Sequence, residues 1–287
     1  MQLASIVIPV WNEEEAIGQV IDDTIAAMDK SKYPYEIIVV DDGSTDHTAE
    51  IVRARPTVRL VQHTRNRGVG RARNTGIRAA LGDVIVMTDG DGTYPVQDIP
   101  RLLDAMETND MVIGARRREA GTIKWLRSPA KWLIRSLACY LTATNIPDLN
   151  SGLRAFRKDI ATKYFHLFPS GHSWVSTITI AFLSDGYSVA FVPIDYYERT
   201  GRSTFHPIRD TYNYLVAVLR SITYFNPLKV FLPLSILLMS AGVFKTIYDL
   251  VSQGRIKESD VTLVTIGVLI GVLGLLADLI VTQSKKE

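Results

Sequence analysis

The segment Val84-Ile85-Val86-Met87-Thr88-Asp89-Gly90-Asp91-Gly92-Thr93-Tyr94-Pro95 joins an apolar, β-branched run to two carboxylates spaced i, i+2. Alternate side chains of an extended segment point the same way. Asp89 and Asp91 can therefore converge just beyond a strand's C-terminal end, where open α/β sheets bind their ligands. Two hard oxygen donors there suit Mg²⁺ or Mn²⁺, because such ions take few carboxylates and complete their shell with phosphate and water. Asp and Gly are also common turn formers, so this segment by itself leaves a polar turn open. Two further strand ends tilt the balance towards a site. Glu36-Ile37-Ile38-Val39-Val40-Asp41-Asp42-Gly43-Ser44-Thr45-Asp46 repeats the pattern, and Ser5-Ile6-Val7-Ile8-Pro9-Val10-Trp11-Asn12-Glu13 is a third run ending in polar residues.

Helical segments separate these runs, an alternation that implies an α/β domain with a mostly parallel sheet and crossover helices. At 287 residues the chain accommodates one large domain and an appendage. A net charge of +2 gives no electrostatic footprint for nucleic acid. The single cysteine, Cys139, excludes an intramolecular disulfide and fits a reducing compartment. Its simplest role is that of a small apolar helix residue. The chain enters a strand at once, without a basic segment and apolar run, so no signal peptide is expected.

The last sixty residues differ in kind. Residues 227–251 and 261–282 are largely apolar, each near the roughly 20 residues that cross a bilayer. A polar turn, 252–260, separates them. Arg220 and Lys229 before the pair and Lys285 and Lys286 after it place both termini, and with them the catalytic domain, on the cytoplasmic side. The competing reading is a buried helical hairpin. Lys245 and Asp249 are i, i+4 neighbours able to pair, whereas Asp278 lies towards the opposite membrane face. Gly267, Gly271 and Gly274 have the spacing of a helix-packing face but are expected to be tolerated facing lipid. Residues 207–225 form an amphipathic helix, fit either to lie in the headgroup plane or to face a core. Arg116, Arg117, Arg118, Lys124, Trp125, Arg127, Lys131, Trp132 and Arg135 make a basic, Trp-containing surface suited to anionic headgroups or a lipid phosphate; solvated charge is the plainer account of any one of them.

Taken in order, Ile8-Pro9-Val10-Trp11-Asn12-Glu13, Val40-Asp41-Asp42-Gly43-Ser44-Thr45-Asp46, Asn66-Arg67-Gly68, Ala72-Arg73-Asn74-Thr75-Gly76 and Asp89-Gly90-Asp91 resemble glycosyltransferase family 2. Asp148-Leu149-Asn150-Ser151-Gly152-Leu153-Arg154 and Arg199-Thr200-Gly201-Arg202-Ser203 resemble its polyprenyl-phosphate branch, the dolichol-phosphate mannose synthase type. The resemblance implies a GT-A (Rossmann-like) catalytic domain at 1–206, to which the amphipathic and apolar segments add an interfacial helix at 207–226 and a transmembrane hairpin at 227–287. It implies a GDP- or UDP-hexose donor and inverting transfer to a dolichyl or undecaprenyl phosphate. Pro9, Trp11, Glu13, Asp41 and Asp42 would hold the nucleotide, with Gly90 beside the donor and Asp89 and Asp91 on the metal. Trp11 could equally be packing.

A hydroxyl acceptor needs a general base; a polyprenyl phosphate, already anionic, needs cations instead. Arginine meets that need through bidentate phosphate contacts. Arg199 and Arg202 with Ser203 are first candidates, Arg116, Arg117 and Arg135 second. The chain departs from the branch pattern at Thr93, which puts a third metal contact in question, at Thr204, where a Lys is usual and Arg202 is left to supply the charge, and at Thr177, where an acid is usual. It lacks the Gln-x-x-Arg-Trp sequence of processive synthases. Two alternatives stay open: transfer to a membrane glycolipid hydroxyl, with Asp89 as base, and a nucleotide-sugar-binding scaffold without turnover.

Overall fold

The computed structural model describes residues 3–117, 135–199 and 207–284. Arg118, Lys124, Trp125, Arg127, Lys131, Trp132, Arg202, Ser203 and Thr204 lie outside the described residues, as do Lys285 and Lys286. Two compact units divide at Val218 and Leu219.

The first unit is built on a seven-stranded sheet. Its strands are β1 (Ala4–Val10), β2 (Tyr35–Asp41), β3 (Val58–Gln62), β4 (Val84–Met87), β5 (Met111–Arg116), β6 (Arg154–Arg157) and β7 (Val189–Ile194), in the order β3-β2-β1-β4-β6-β5-β7. All neighbours are parallel except β6, which runs antiparallel to both β4 and β5. β1 and β4 are buried along their whole length and β2 over its last five residues, as apolar runs must be when helices cover both faces. α1 (Ile17–Asp29) buries Ile17, Val20, Ile21, Thr24 and Met28, one face at helical spacing. α3 (Val69–Ala79) lies closer to the sheet because Gly76 meets β1, where a Cβ would stand 2.2 Å from Val7 Cγ1.

From β1 the chain builds outwards through β2 to β3, then returns to place β4 on β1's other side. That reversal opens a crevice beyond the strand ends, the place where such sheets bind ligands. Glu13 follows β1 on one rim, and Asp89 and Asp91 follow β4 on the other. The remaining helices of this unit include α2 (Thr48–Arg53), α4 (Ile99–Ala105), α5 (135–142), α6 (Lys158–Lys163) and the almost wholly buried α7 (Trp174–Ser184).

α8 (Pro207–Phe225) carries the chain over the boundary between the units. Val218 is buried, while Tyr212, Val216 and Leu219 stay exposed. The second unit contains the hairpin of α9 (Leu228–Gln253) and α10 (Glu258–Ser284). Both helices are long and apolar enough to cross a membrane. The expected polar turn of 252–260 shrinks to 254–257. Gly254, at φ +65°, ends α9 in the left-handed conformation, and Glu258 and Asp260 enter the first turn of α10, where acids suit the helix dipole. The glycines do not face lipid. Cβ atoms at Gly267, Gly271 and Gly274 would lie 2.6–2.8 Å from Met239, Ser235 and Phe231 of α9. Small residues are needed because the two backbones approach there, close enough for Ser235 Oγ to donate to the Gly267 carbonyl at 2.7 Å.

Lys245 and Asp249 pair as their spacing suggested, at 2.9 Å. The turn adds what spacing could not show. Lys257 Nζ also reaches Asp249 at 2.9 Å, and Lys245 reaches Asp260. Asp260 accepts the Lys257 backbone N–H at 2.9 Å.

Candidate active site

The loops after β1 and β2 brace each other. Asn12 adopts a left-handed φ of 54°, which Asn tolerates better than most residues. Its Oδ1 accepts the Thr45 N–H at 2.8 Å, and its own N–H donates to Ser44 Oγ at 2.9 Å. The Glu13 N–H donates to Thr48 Oγ1, the Glu14 N–H to Asp46 Oδ2, and the His47 N–H to Glu14 Oε2. The polar residues of both motifs thus satisfy backbone groups of the facing loop. Pro9 is buried inside β1 and offers no surface to a ligand, whereas Trp11 stands exposed at the rim.

Asp41 and Asp42 are buried and serve the protein first. Asp41 accepts the Ser44 N–H at 2.9 Å and Gln62 Nε2–H at 2.8 Å. Asp42 accepts from Gly68 N at 2.7 Å and Arg67 N at 3.0 Å, and pairs with His63 Nδ1 at 2.6 Å. Sequence reasoning missed Gln62 and His63, which have no motif signal beyond following an apolar run.

Beyond β4 the carboxylates are held differently. Asp89 Oδ1 accepts from Arg73 Nη2 at 2.8 Å. Arg73 is buried with its guanidinium 5.5 Å from the Trp174 ring, and Trp174 Nε1 donates to Asn74 Oδ1 at 2.8 Å. Gly152 presses on the other side, where a Cβ would stand 2.4 Å from Asp89 Oδ2. The segment that delivers Gly152 is pinned throughout. Asp148 takes both ends of the Arg116 guanidinium at 2.7 and 2.9 Å, Gly152 N–H donates to the Tyr94 hydroxyl at 2.7 Å, and the buried Arg154 reaches the Val175 carbonyl at 2.7 Å. Burial pushes the Asp148 carboxyl up, yet the Arg116 guanidinium leaves it below its ordinary value. Gly90 packs on β1: a Cβ there would stand 2.4 Å from Val10 Cγ1.

Asp91 Oδ1 accepts from Thr93 Oγ1 at 2.7 Å and from the Thr93 N–H at 3.2 Å. Thr93 therefore orients Asp91. Arg199, from the segment after β7, ties the rims together: Nη2 donates to Glu13 Oε1, and Nη1 lies 3.4 Å from Asp91 Oδ2. Arg116 and Arg135 go elsewhere. Arg116 pairs with Asp148, and the exposed Arg135 points Nη1 at the Pro147 carbonyl, 3.5 Å away, so these two gather at the 147–148 loop.

Among the described residues, Glu13, Asp89 and Asp91 meet Arg73 and Arg199, and both burial and the neighbouring acids act on these carboxyls. Burial raises the Asp91 carboxyl, with repulsion from Asp89 adding to it. Glu13 is pushed up to about 7, by burial first and against the pull of Arg199, with Asp91, Asp89 and Asp46 contributing. A divalent cation relieves such repulsion, and two carboxylate donors fit Mg²⁺ or Mn²⁺. Among the described residues no group of three or more His, Cys, Asp or Glu side chains is arranged to hold a metal, so an ion on two carboxylates would draw on substrate oxygens and water as well. Asp89 and Asp91 would hold the ion, which when bound would stabilise charge on a departing diphosphate.

A mixed, mostly parallel sheet with acids on both rims of its switch-point crevice defines a GT-A-type fold. The Glycosyl transferase family 2 model matches residues 5–165, and the chain belongs to that family. The GtrB C-terminal hairpin model matches residues 226–282. Among relatives, the undecaprenyl-phosphate 4-deoxy-4-formamido-L-arabinose transferase of Edwardsiella ictaluri is 36% identical over 171 residues, covering 58% of this chain and 52% of that protein. Its Proteus mirabilis counterpart is 34% identical over 161 residues, covering 54% and 49%. The aligned parts span about half the length of these relatives. Glucosyl-3-phosphoglycerate synthase from Mycobacterium tuberculosis, solved with UDP, superposes with a TM-score of 0.62 at 21% identity, covering 77% of this chain and 80% of that one. The same enzyme solved with Mn²⁺, UDP and phosphoglyceric acid gives 0.62 at 22% identity, covering 77% and 78%. These structures share the fold.

Proposed function

We propose that this protein transfers a sugar, with inversion, from a nucleoside-diphosphate donor to a polyprenyl phosphate at the cytoplasmic face of a membrane, in which α9 and α10 anchor it. The observation that carries the reading is Arg199, whose guanidinium spans Glu13 and Asp91. A permanent cation between those two acids supports a reading in which donor diphosphate and anionic acceptor meet there. A phosphate acceptor needs such a charge and no base. Asp89, the carboxylate that would have to act as base towards a hydroxyl, is already engaged by Arg73 and hemmed in by Gly152.

The relatives' names favour undecaprenyl over dolichyl phosphate as acceptor. They name a modified arabinose, so the donor panel must extend beyond GDP- and UDP-hexoses. In this reading Arg199, joined by Arg202 and Ser203, neutralises the acceptor phosphate. Trp11 and Glu13 face the nucleotide, and Asp41 and Asp42 hold the loops around it. In-line attack of the phosphate oxygen on the anomeric carbon expels the nucleoside diphosphate.

Detergent-purified protein would be incubated with Mn²⁺, undecaprenyl or dolichyl phosphate and each nucleotide sugar, and organic-phase sugar scored. An acid-labile, alkali-stable product from one donor, absent in Asp91→Ala and Arg199→Ala, is expected. Labelling of a glycolipid acceptor instead would overturn the phosphate-acceptor reading. Nucleotide-sugar binding with no product on any acceptor would leave the scaffold.

A further inference from the structure

His63 has no place in the chemistry described above, yet its imidazole is almost wholly enclosed. It follows the last residue of the edge strand β3, with 6% of its side chain exposed against 3% for Asp42. Its Nδ1 lies 2.6 Å from Asp42 Oδ1 and its Nε2 2.9 Å from Thr75 Oγ1. The ring therefore spans from the end of β2 to the body of α3. Asp42 in turn accepts the backbone N–H groups of Arg67 and Gly68, the two residues immediately before α3. Gly68 and Gly70 leave no room to shift, since Cβ atoms there would stand 2.4 and 2.1 Å from the carbonyls of Ser170 and Pro169.

α3 is thus gripped at its start by Asp42 and two turns later by His63 through Thr75. Between these points it carries Arg73, which reaches Asp89 at 2.8 Å. We propose that His63 is a positioning residue for glycosyl transfer: by locking Asp42 and Thr75 it fixes α3, and α3 presents Arg73 to the Asp89 carboxylate. A ring nitrogen on each side suits the task because imidazole bridges two polar partners at a fixed separation. Outer-shell partners of a metal carboxylate alter ion affinity without touching the ion. The proposal rests on the reading of Asp89 as a metal and donor carboxylate, so its test needs a signal independent of that reading.

Full-length protein in detergent would be compared as wild type, His63→Ala, His63→Asn and Thr75→Val. Amide hydrogen exchange of the 65–76 peptide reports the grip directly, and electron paramagnetic resonance with Mn²⁺ reports the site. Loss of a buried hydrogen bond predicts exchange about tenfold faster in His63→Ala, and outer-shell loosening predicts Mn²⁺ affinity lower by about tenfold. His63→Asn, which keeps a donor towards Asp42, restores part of both. Thr75→Val shifts both the same way but less, and serves if His63→Ala does not fold. Unchanged exchange of this peptide in both His63→Ala and Thr75→Val would overturn the proposal. So would faster exchange with unchanged Mn²⁺ affinity, provided Asp89→Asn lowers that affinity. If Asp89→Asn leaves Mn²⁺ binding intact, the Asp89 reading fails instead, and exchange still decides whether His63 holds α3.

Discussion

Two clusters in this protein join largely buried acids to cations that, Arg73 apart, are partly exposed, and they are built to opposite plans. In the hairpin, Lys245 and Lys257 meet Asp249 and Asp260, two cations for two anions. At the sheet's end, Glu13, Asp89 and Asp91 pair, among the described residues, with Arg73 and Arg199. A balanced network is complete in itself and fixes the two helices in one register. In the other, burial first and repulsion between neighbouring acids second raise the Asp91 and Glu13 carboxyls, a strain that a bound cation would relieve. Charge balance, together with burial, distinguishes the two clusters.

The sharpest way to break the contrast is Asp91→Ala. Transfer is expected to fall by about 10³-fold or more, the scale of losing a principal electrostatic stabiliser, while thermal stability is unchanged or rises because a repelled buried acid has gone. A parallel fall in activity and melting temperature would erase the distinction. Gly152→Ala comes next. Its Cβ would displace Asp89, and a carboxylate moved by a fraction of an ångström predicts activity down by about 10²-fold, with the loss largely in kcat. Steady-state kinetics with varied donor would check it.

pH sharpens the comparison further. Glu13 sits at about 7 in the folded protein against 4.5 as its ordinary value. The folded state therefore holds more protons than the unfolded state between those values, and stability falls as pH rises through the window. The full effect is on the order of 3 kcal/mol. Melting curves of metal-free protein from pH 4.5 to 8 should show this decline, and Glu13→Gln should flatten it. The smallest effect on transfer belongs to the hairpin. Lys245→Met leaves Asp260 without one of its partners and should lower the hairpin's resistance to heat. Transfer per folded molecule should stay within about twofold, because the substituted site is structural. Activity falling further than the folded fraction would show that the clasp is not merely structural.

Much of this architecture was legible beforehand because local pattern carried it. The apolar runs ending at Val10, Asp41 and Met87 became adjacent parallel strands, and the alternation with helices gave the sheet type. Two apolar spans became α9 and α10, and the order of motifs pointed to the family that the comparison then showed. Less was legible where function depends on residues far apart in the chain. Arg73 sits in a motif without any sign that it would face Asp89. Gly152 carries no chemistry of its own, yet its missing Cβ makes room for that carboxylate. Arg116, a second candidate for the acceptor phosphate, pairs with Asp148, a partner 32 residues away that spacing did not suggest.

The sequence by itself determined the strands, the helices, the hairpin and the types of acid at three strand ends, because apolar periodicity and span length act locally. Only the tertiary structure decided what each polar side chain would be spent on. Asp41 and Asp42 were spent on bracing loops, Thr93 on orienting Asp91, and the glycines of α10 on meeting α9. The reason is physical: a buried polar group takes whichever partner the packed chain brings within hydrogen-bond reach, and that partner is set by the fold rather than by spacing along the chain.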